Sequence, residues 1–510
     1  MLTKEQIARF LTEDPDGFMQ AVAANPEAFS FDFAQYLDEN DPISLRDTFD
    51  IGNITPFAGH SLGPVYKPAI EAIEAVYKLQ REELHAGHFP ETVAVGGNWF
   101  DCDIEPEAIR AAQAILGFAD PAEFIFTQSG LSANLANLLD TFYKPTRKDW
   151  ESGKTKICHL STEFFSDQSV VHSVLKRGIL NAANFGVFEN ATAPDANDLT
   201  IKLTPNAQGL YDSQSIIETV KRHASEIQVL HLSDLVFSTG QRLDIPYILR
   251  ELKDVIEQHH IIVGLDLAHT VGNRTINLAE MGMVTYAVGC SYKHCSGTAG
   301  SSFGIYVNRN VDLNSYPPIQ GWKAAESSKV FAEINGFNQA IMANNGARAF
   351  RTSNASPVAL APIQTYLKRM NAIGWDKLTA KSECLTRYML ALLKARLGAR
   401  FELITPEDPK QRGATIVFRV KGLSKVSSVE EELKKPNALG QFELDVRPPN
   451  NIRVTAHYGY TSFVDIQKMV TKLEQVIVNV LVEEDVIAKT NFFQQAGAQK
   501  VVGNTPGITS

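Results

Sequence analysis

The sequence lacks any unbroken apolar run of the roughly 18–20 residues that a membrane-spanning helix requires, so no membrane partner is expected. It also lacks a basic excess. Lys and Arg number 48 against 58 Asp and Glu, a formal charge of −10, which argues against a nucleic-acid partner or an anionic surface. Cysteine is scarce: Cys102, Cys158, Cys290, Cys295 and Cys384 are scattered, odd in number and without CxxC spacing. That pattern reads as reduced thiols with no metal site. Residues 1–18 mix Lys4, Arg9, Glu13, Asp14 and Asp16 with isolated apolar positions. An export signal needs a continuous apolar core, so a cytoplasmic location is expected. Internal repeats and low-complexity tracts are missing too.

What is present is a chain of 510 residues with 44% hydrophobic and 21% charged residues, enough for two packed units with extensions. Residues 1–55 read as a helical arm. From 56 to 345, short apolar runs (124–126, 157–160, 229–232, 261–265, 285–288) alternate with amphipathic stretches. Apolar strands between helices predict a mostly parallel sheet covered on both faces, an α/β domain. Residues 346–484 change texture: a long helical stretch at 357–397, strands at 413–420, 443–447 and 452–455, and a helix at 462–481. That order predicts a small α+β domain. Residues 485–510 read as a poorly ordered tail.

Chemistry is suggested at a few points. The run 261–265 ends in Asp266, and ligands bind at the carboxyl ends of strands in open α/β sheets. Against a pyridine nitrogen, such a carboxylate keeps the ring protonated; a helix cap or surface ion pair is the plainer alternative. Lys293 follows the run 285–289 and precedes the small-residue turn from Ser296 to Gly300. A partly desolvated lysine there could form a Schiff base, although a solvated side chain is the ordinary outcome. The 27 residues between Asp266 and Lys293 suit one helix-and-strand unit, which would bring both to one cleft. The segment from Thr127 to Asn134 follows a strand and opens a helix, as an anion site or as a simple capped turn. Phe164 or Phe165 could stack on a flat ligand or belong to the core. Arg453 could grip a carboxylate or serve a structural ion pair.

Taken in order, these pieces resemble the kynureninases, pyridoxal-phosphate (PLP) enzymes of the class V aminotransferase branch. The resemblance runs from about residue 37 to 463. It is carried by Leu37-Asp38, Asp41-Pro42 and Arg46; Gly59-His60-Ser61-Leu62-Gly63; Ser166-Asp167; Thr239-Gly240-Gln241; Asp266-Leu267-Ala268-His269 with Gly272-Asn273; Cys290-Ser291-Tyr292-Lys293; Gly321-Trp322; Phe350-Arg351-Thr352-Ser353-Asn354; and Ile452-Arg453-Val454.

The resemblance implies a PLP-dependent transferase fold of type I, with a large α/β domain holding a seven-stranded sheet. It implies that Lys293 holds the cofactor covalently and that Asp266 faces its ring nitrogen, with His269 beside it. Leu131, Ser132, Ser233, Tyr292 and Trp322 would surround the phosphate; Phe164 would cover the ring and Asp167 would touch it. Arg453 would hold the substrate carboxylate, and His88, Ser353 and Asn354 would face its aromatic part. Trp322 and Asn354 would reach across a homodimer with shared active sites. The implied reaction cleaves L-kynurenine or its 3-hydroxy form to the anthranilate and L-alanine.

Three departures stand out. His60 replaces an asparagine of the family, Ser238 replaces a tyrosine that would touch the phosphate, and residues 82–105 match weakly. Rival readings are a class V lyase, aminotransferase or desulfurase on another amino acid, with Cys295 as the thiol a desulfurase would need, and a non-catalytic relative. The last would tend to lose Lys293 or Asp266, and both are present.

Overall fold

The computed structural model describes residues 2–88, 102, 105–127, 129–189, 191–325, 342–424, 426–447 and 450–501, with backbone only at 87–88 and 483–501. Its centre is a seven-stranded sheet: β1 (Phe124–Ile125), β2 (Lys156–Leu160), β3 (Thr200–Leu203), β4 (Ile227–Ser233), β5 (Ile262–Asp266), β6 (Tyr286–Cys290) and β7 (Ser302–Val307). Their spatial order is β1-β7-β6-β5-β4-β2-β3. β7 runs antiparallel to both of its neighbours and the other pairs are parallel. The mostly parallel seven-stranded sheet is as expected.

Every residue of β4, β5, β6 and β7 is buried, because helices cover both faces. Two of them show how local sequence sets the covering layer. Ser213–Arg222 starts at Asp212, whose carboxylate accepts from the Ser215 N–H, and turns Ile216, Ile217 and Val220 inward. Ile245–His259 starts at Asp244 with proline in its first turn and stops where His260 turns left-handed, burying Ile248, Leu249, Leu252 and Ile256. Side-chain caps and a proline at N1 satisfy or remove N–H groups that would otherwise be orphaned.

The small domain has a four-stranded antiparallel sheet, β8 (Phe401–Leu403), β9 (Thr415–Val420), β10 (Asp445–Arg447) and β11 (Asn451–Thr455), in the order β8-β9-β11-β10. The N-terminal residues are built into this domain. Ile7, Phe10, Leu11, Phe18 and Leu37 are buried in one cluster with Leu385, Tyr388, Leu392, Ile452 and Ile466. Asp38 accepts hydrogen bonds from the Phe463 and Val464 N–H groups (2.8 and 2.9 Å), capping the last helix. A short parallel pairing of Ile54–Pro56 with Gln441–Glu443 adds a second tie.

Three expectations are corrected. The helical stretch 357–397 is two helices, Pro357–Ile373 and Trp375–Leu397, parted at Gly374 with φ +105°; a left-handed backbone there interrupts the hydrogen-bond ladder. No helix joins Asp266 to β6, because the connection is a run of turns containing Gly272 and Gly282. It buries Val271, Ile276, Leu278 and Met281 instead of a helical stripe. The last helix is Phe463–Val501, so the expected tail is helical through Val501; residues 484–496 contain no glycine or proline to stop it. Residues 502–510 lie outside the described residues. Among the described residues, no helix is long and apolar enough to cross a membrane.

Phe18 is fully buried and packs against Phe463 and Tyr388, with ring centroids 5.6 and 6.5 Å away. Phe18→Ala is expected to cost about 3–5 kcal/mol by loss of apolar burial and cavity formation. Urea-unfolding midpoints measure it, and an unchanged midpoint would show that the arm does not contribute to the small domain's core.

Candidate active site

Parallel strands deliver their carboxyl ends to one edge of the sheet. Ser233 at the end of β4 and Asp266 at the end of β5 are register partners. β6 ends at Cys290 and the chain turns through Ser291 and Tyr292 to Lys293. β2 ends at Leu160, and Glu163 and Phe164 follow. A cavity of about 220 Å³ lies over this edge, with Asp266, His269, Tyr292 and Lys293 on one side. Leu131, Ser132, Glu163, Phe164, Asp167 and Ser233 are also among its lining residues. Nine of the expected residues therefore share one cleft, Asp266 and Lys293 among them.

The helix Leu131–Phe142 opens on this cavity. Its N-cap is Gly130, which has no side chain to accept a hydrogen bond, so the first-turn N–H groups remain suited to an anion. The Ser132 and Ser166 hydroxyls are hydrogen-bonded at the same end. Phe164 is 47% exposed with its ring against Phe237, edge to face at 5.3 Å, leaving a face free to cover a flat ligand. At the opposite end, buried oxygens of Glu163 and Asp167 have no hydrogen-bond donor. Burial, then the Asp167 and Glu163 carboxylates, push Asp266 well above the usual carboxylate range. A protonated ring nitrogen supplies the positive partner such a carboxylate needs. Anion-binding N–H groups at one end, a carboxylate at the other and an amine between them fit PLP.

Lys293 Nζ donates to His269 Nε2 at 3.1 Å. His269 can accept because burial, then the charge of Lys293, holds it well below the usual imidazole range and hence neutral. The loop carrying Lys293 is clamped from beneath: the Gly63 N–H donates to the Tyr292 carbonyl at 2.8 Å. A Cβ at Gly63 would lie 2.5 Å from the Lys293 carbonyl oxygen.

Ser233 was expected at the phosphate. Its hydroxyl instead donates to Glu163 Oε1 at 2.5 Å, at the carboxylate end, as its pairing with Asp266 dictates. Arg453, on β11, is outside the cavity lining and 2% exposed. Its guanidinium donates to Asp445 and, through Nη1, to the Phe237 carbonyl at 2.7 Å. His60 completes this network, with Nε2 3.1 Å from Asp445 and Nδ1 2.8 Å from the Thr455 hydroxyl. Burial pushes His60 down to about 4. Burial opposes ionisation of Asp445, but the His60 hydrogen bond and Arg453 outweigh it and hold Asp445 well below the usual range.

Trp322, Ser353 and Asn354 do not line the cavity. The segments that carry them pack on each other: the Gly321 N–H donates to the Arg351 carbonyl at 3.0 Å, and a Cβ at Gly321 would collide with Thr352. Ser238, in the turn before Thr239, is also off the lining. His88 ends the short turn Leu84–His88, and its side chain lies outside the described residues. Sequence reasoning did not single out Glu163, His231, Phe237 or Asp445. The signal for Glu163 was available, since an acid three residues past an apolar strand is placed at the ligand edge. His231 and Asp445 needed the sheet register.

A family model described as the kynureninase C-terminal domain matches residues 378–473. The kynureninase of Xanthomonas oryzae pv. oryzae is 28% identical over 448 residues, covering 86% of this chain and 97% of its own. The kynureninase of Myxococcus xanthus is 29% identical over 455 residues, covering 87% and 96%. The resemblance is to the kynureninases. Among solved structures, a C-DES mutant with glycine covalently linked to the PLP cofactor superposes with TM-score 0.62 at 17% identity, over 84% of this chain and 98% of that one. A cysteine desulfurase from Thermococcus onnurineus gives 0.63 at 14%, over 85% and 98%. The fold is thus that of the class V PLP-dependent enzymes, and at the sequence level the chain is aligned with kynureninases across nearly their whole length.

Gly63→Val is expected to destabilise the protein by about 1–3 kcal/mol through overpacking against the Lys293 loop. At Gly282 an added Cβ would meet nothing within 4 Å, so alanine there is tolerated within about 0.5 kcal/mol. Urea unfolding of both variants measures the contrast; equal effects would contradict the clamp.

Proposed function

We propose that this protein is a PLP-dependent enzyme that hydrolyses the side chain of L-kynurenine, or of 3-hydroxykynurenine, to the corresponding anthranilate and L-alanine. The observation that carries the reading is that Lys293 and Asp266 line one cavity in a chain similar to kynureninases over 86% of its length. Lys293 would hold the cofactor covalently, Asp266 would lie at its ring nitrogen, Phe164 would cover the ring, and the helix Leu131–Phe142 with Ser132 and Tyr292 would receive the phosphate. PLP, when bound, supplies the electron sink for charge that develops on the substrate.

The remaining roles belong to the chain. The Lys293 amine takes and returns a proton at the substrate's Cα, a contribution of about 10²–10⁴ in rate for a positioned group. His269, neutral and 3.1 Å from Nζ, orients that amine. Arg453 receives the substrate's carboxylate, its guanidinium aimed by Asp445 and the Phe237 carbonyl. Trp322, Ser353 and Asn354, grouped away from this cavity, serve the cavity of a second subunit in a homodimer.

A second reading is suggested by similar solved structures that include a cystine C–S lyase and a cysteine desulfurase: a class V reaction on a sulfur amino acid. The cysteines weigh against it. All five are buried, and burial pushes both the Cys290 thiol, which lies against Lys293, and the Cys295 thiol above their usual range, so each is a poor nucleophile.

Adding L-kynurenine to PLP-loaded protein is expected to produce anthranilate fluorescence; loaded protein that forms none would remove the named activity. Lys293→Ala is expected to abolish both the cofactor's absorbance near the visible edge and turnover. Mixing Lys293→Ala with Asn354→Ala protomers is expected to restore part of the activity that each lacks alone, as shared sites require, and no recovery would argue for self-contained subunits.

A further inference from the structure

The ring-nitrogen end of the cavity holds more negative charge than one cofactor can answer. Carboxylate oxygens of Glu163, Asp167 and Asp266 lie within 4.8 Å of one another, and all three residues are buried. Like charges this close in a dry site cannot all ionise. The groups facing them supply little compensation. From β4, His231 offers Nε2 3.6 Å from Asp167 Oδ2, and its Nδ1 is 3.2 Å from the Tyr286 hydroxyl of β6. Burial keeps Tyr286 protonated, so it donates to Nδ1 and leaves Nε2 carrying a hydrogen. Ser233, also of β4, donates to Glu163. From β2, His159 is turned to the Leu160 carbonyl and is held below its usual range by burial. Among the described residues of the cavity wall, Lys293 is the one full positive charge, and its amine is turned to His269.

Two acceptor atoms in this nest have no donor: Glu163 Oε2 and Asp167 Oδ2. One proton between them answers both, because a protonated Glu163 Oε2 becomes a donor and Asp167 Oδ2 accepts. Glu163 is the better carrier. Asp167 lies in the first turn of the helix Phe165–Asn184, where the helix N-terminus favours negative charge, and it also faces the His231 N–H. The side-chain donor to Glu163 is the Ser233 hydroxyl, already used on Oε1.

We propose that Glu163 is a positioning residue that carries a proton at this end of the cavity, beside Asp167, so that of the three clustered carboxylates Asp266 is the one that meets a bound ring nitrogen as an anion. Without cofactor Asp266 is itself pushed well above the usual carboxylate range by burial and the same two neighbours, so the Glu163 proton is read from the difference between wild type and Glu163→Gln. The proposal rests on the PLP reading for its purpose, but the proton itself belongs to the protein without cofactor. Burial, then the Asp167 charge, push Glu163 up to about 7 from 4.5. Between those two pH values the folded protein keeps a proton that the unfolded chain has lost, so stability falls as pH rises across that window. Above it the penalty is fully present; below the lower value it vanishes.

The test is the thermal midpoint of cofactor-free protein against pH, for wild type and for Glu163→Gln, whose amide donates to Asp167 at every pH. The two are expected to coincide near pH 4.5. At about pH 8 the variant is expected to melt about 2–4 °C higher. Parallel curves for the two proteins would overturn the proposal. If the variant does not fold, infrared spectra of wild type with ¹³C-labelled glutamate decide: the proposal requires a buried glutamic-acid carbonyl band that fades as pH passes through about 7, and its absence at pH 5–6 overturns it. Loading Glu163→Gln with PLP adds a readout of purpose, since it should hold cofactor like wild type while Glu163→Ala, which strands Asp167, should bind about tenfold more weakly. Wild type that shows the pH difference but never takes up PLP would sink the functional reading and leave the shared proton standing.

Discussion

The site depends on one constraint: parallel strands in fixed register end together. Ser233 and Asp266 are register partners on β4 and β5, and Asp266 is paired in turn with Val288 on β6, two residues before the strand ends and five before Lys293. A register slip of one residue would turn Asp266 from the cleft to the opposite face of the sheet. Full burial of β4 and β5 makes that slip costly, since apolar side chains pack on both faces. The precision with which an amine and a carboxylate share one cavity is therefore a property of the apolar core.

Burial sets the electrostatics as well as the geometry. It raises Asp266, Glu163, Cys290 and Cys295, and lowers His60, His269 and His294. Imidazoles held neutral serve as acceptors, as His269 does for Lys293. The buried guanidinium of Arg453 is kept as an ion by its pairing with Asp445. Replacing asparagine by His60 thus does not add a charge near Arg453. It adds a neutral bridge from β11, through Thr455, to Asp445.

Much of this was legible in the sequence. The apolar runs found five of the seven central strands, because a strand buried on both faces is apolar throughout. Thr200–Leu203, at the sheet edge, includes the exposed Lys202, and Ser302–Val307 begins with serine and contains Gly304; neither announces itself by composition. Asp266, Lys293 and Phe164 were readable because each directly follows or ends a recognisable strand. Arg453 was readable as a carboxylate ligand, but Asp445, eight residues earlier, becomes its partner only through the antiparallel pairing of β10 and β11. The grouping of Trp322 with Ser353 and Asn354 likewise follows from packing between segments about thirty residues apart.

The entwined ends of the chain bear on how the protein is made. Phe10, Phe18 and Leu37 share a cluster with residues from Cys384 onward, and Asp38 closes on the amides of Phe463 and Val464. Synthesis must therefore pass Val464 before the helices within residues 4–39 can dock. Meanwhile the seven-stranded layer, complete by Val307, can assemble behind them. Residues 4–39 are made before the large domain yet settle after it, and their uncovered phenylalanines are the natural hold for a chaperone during that wait.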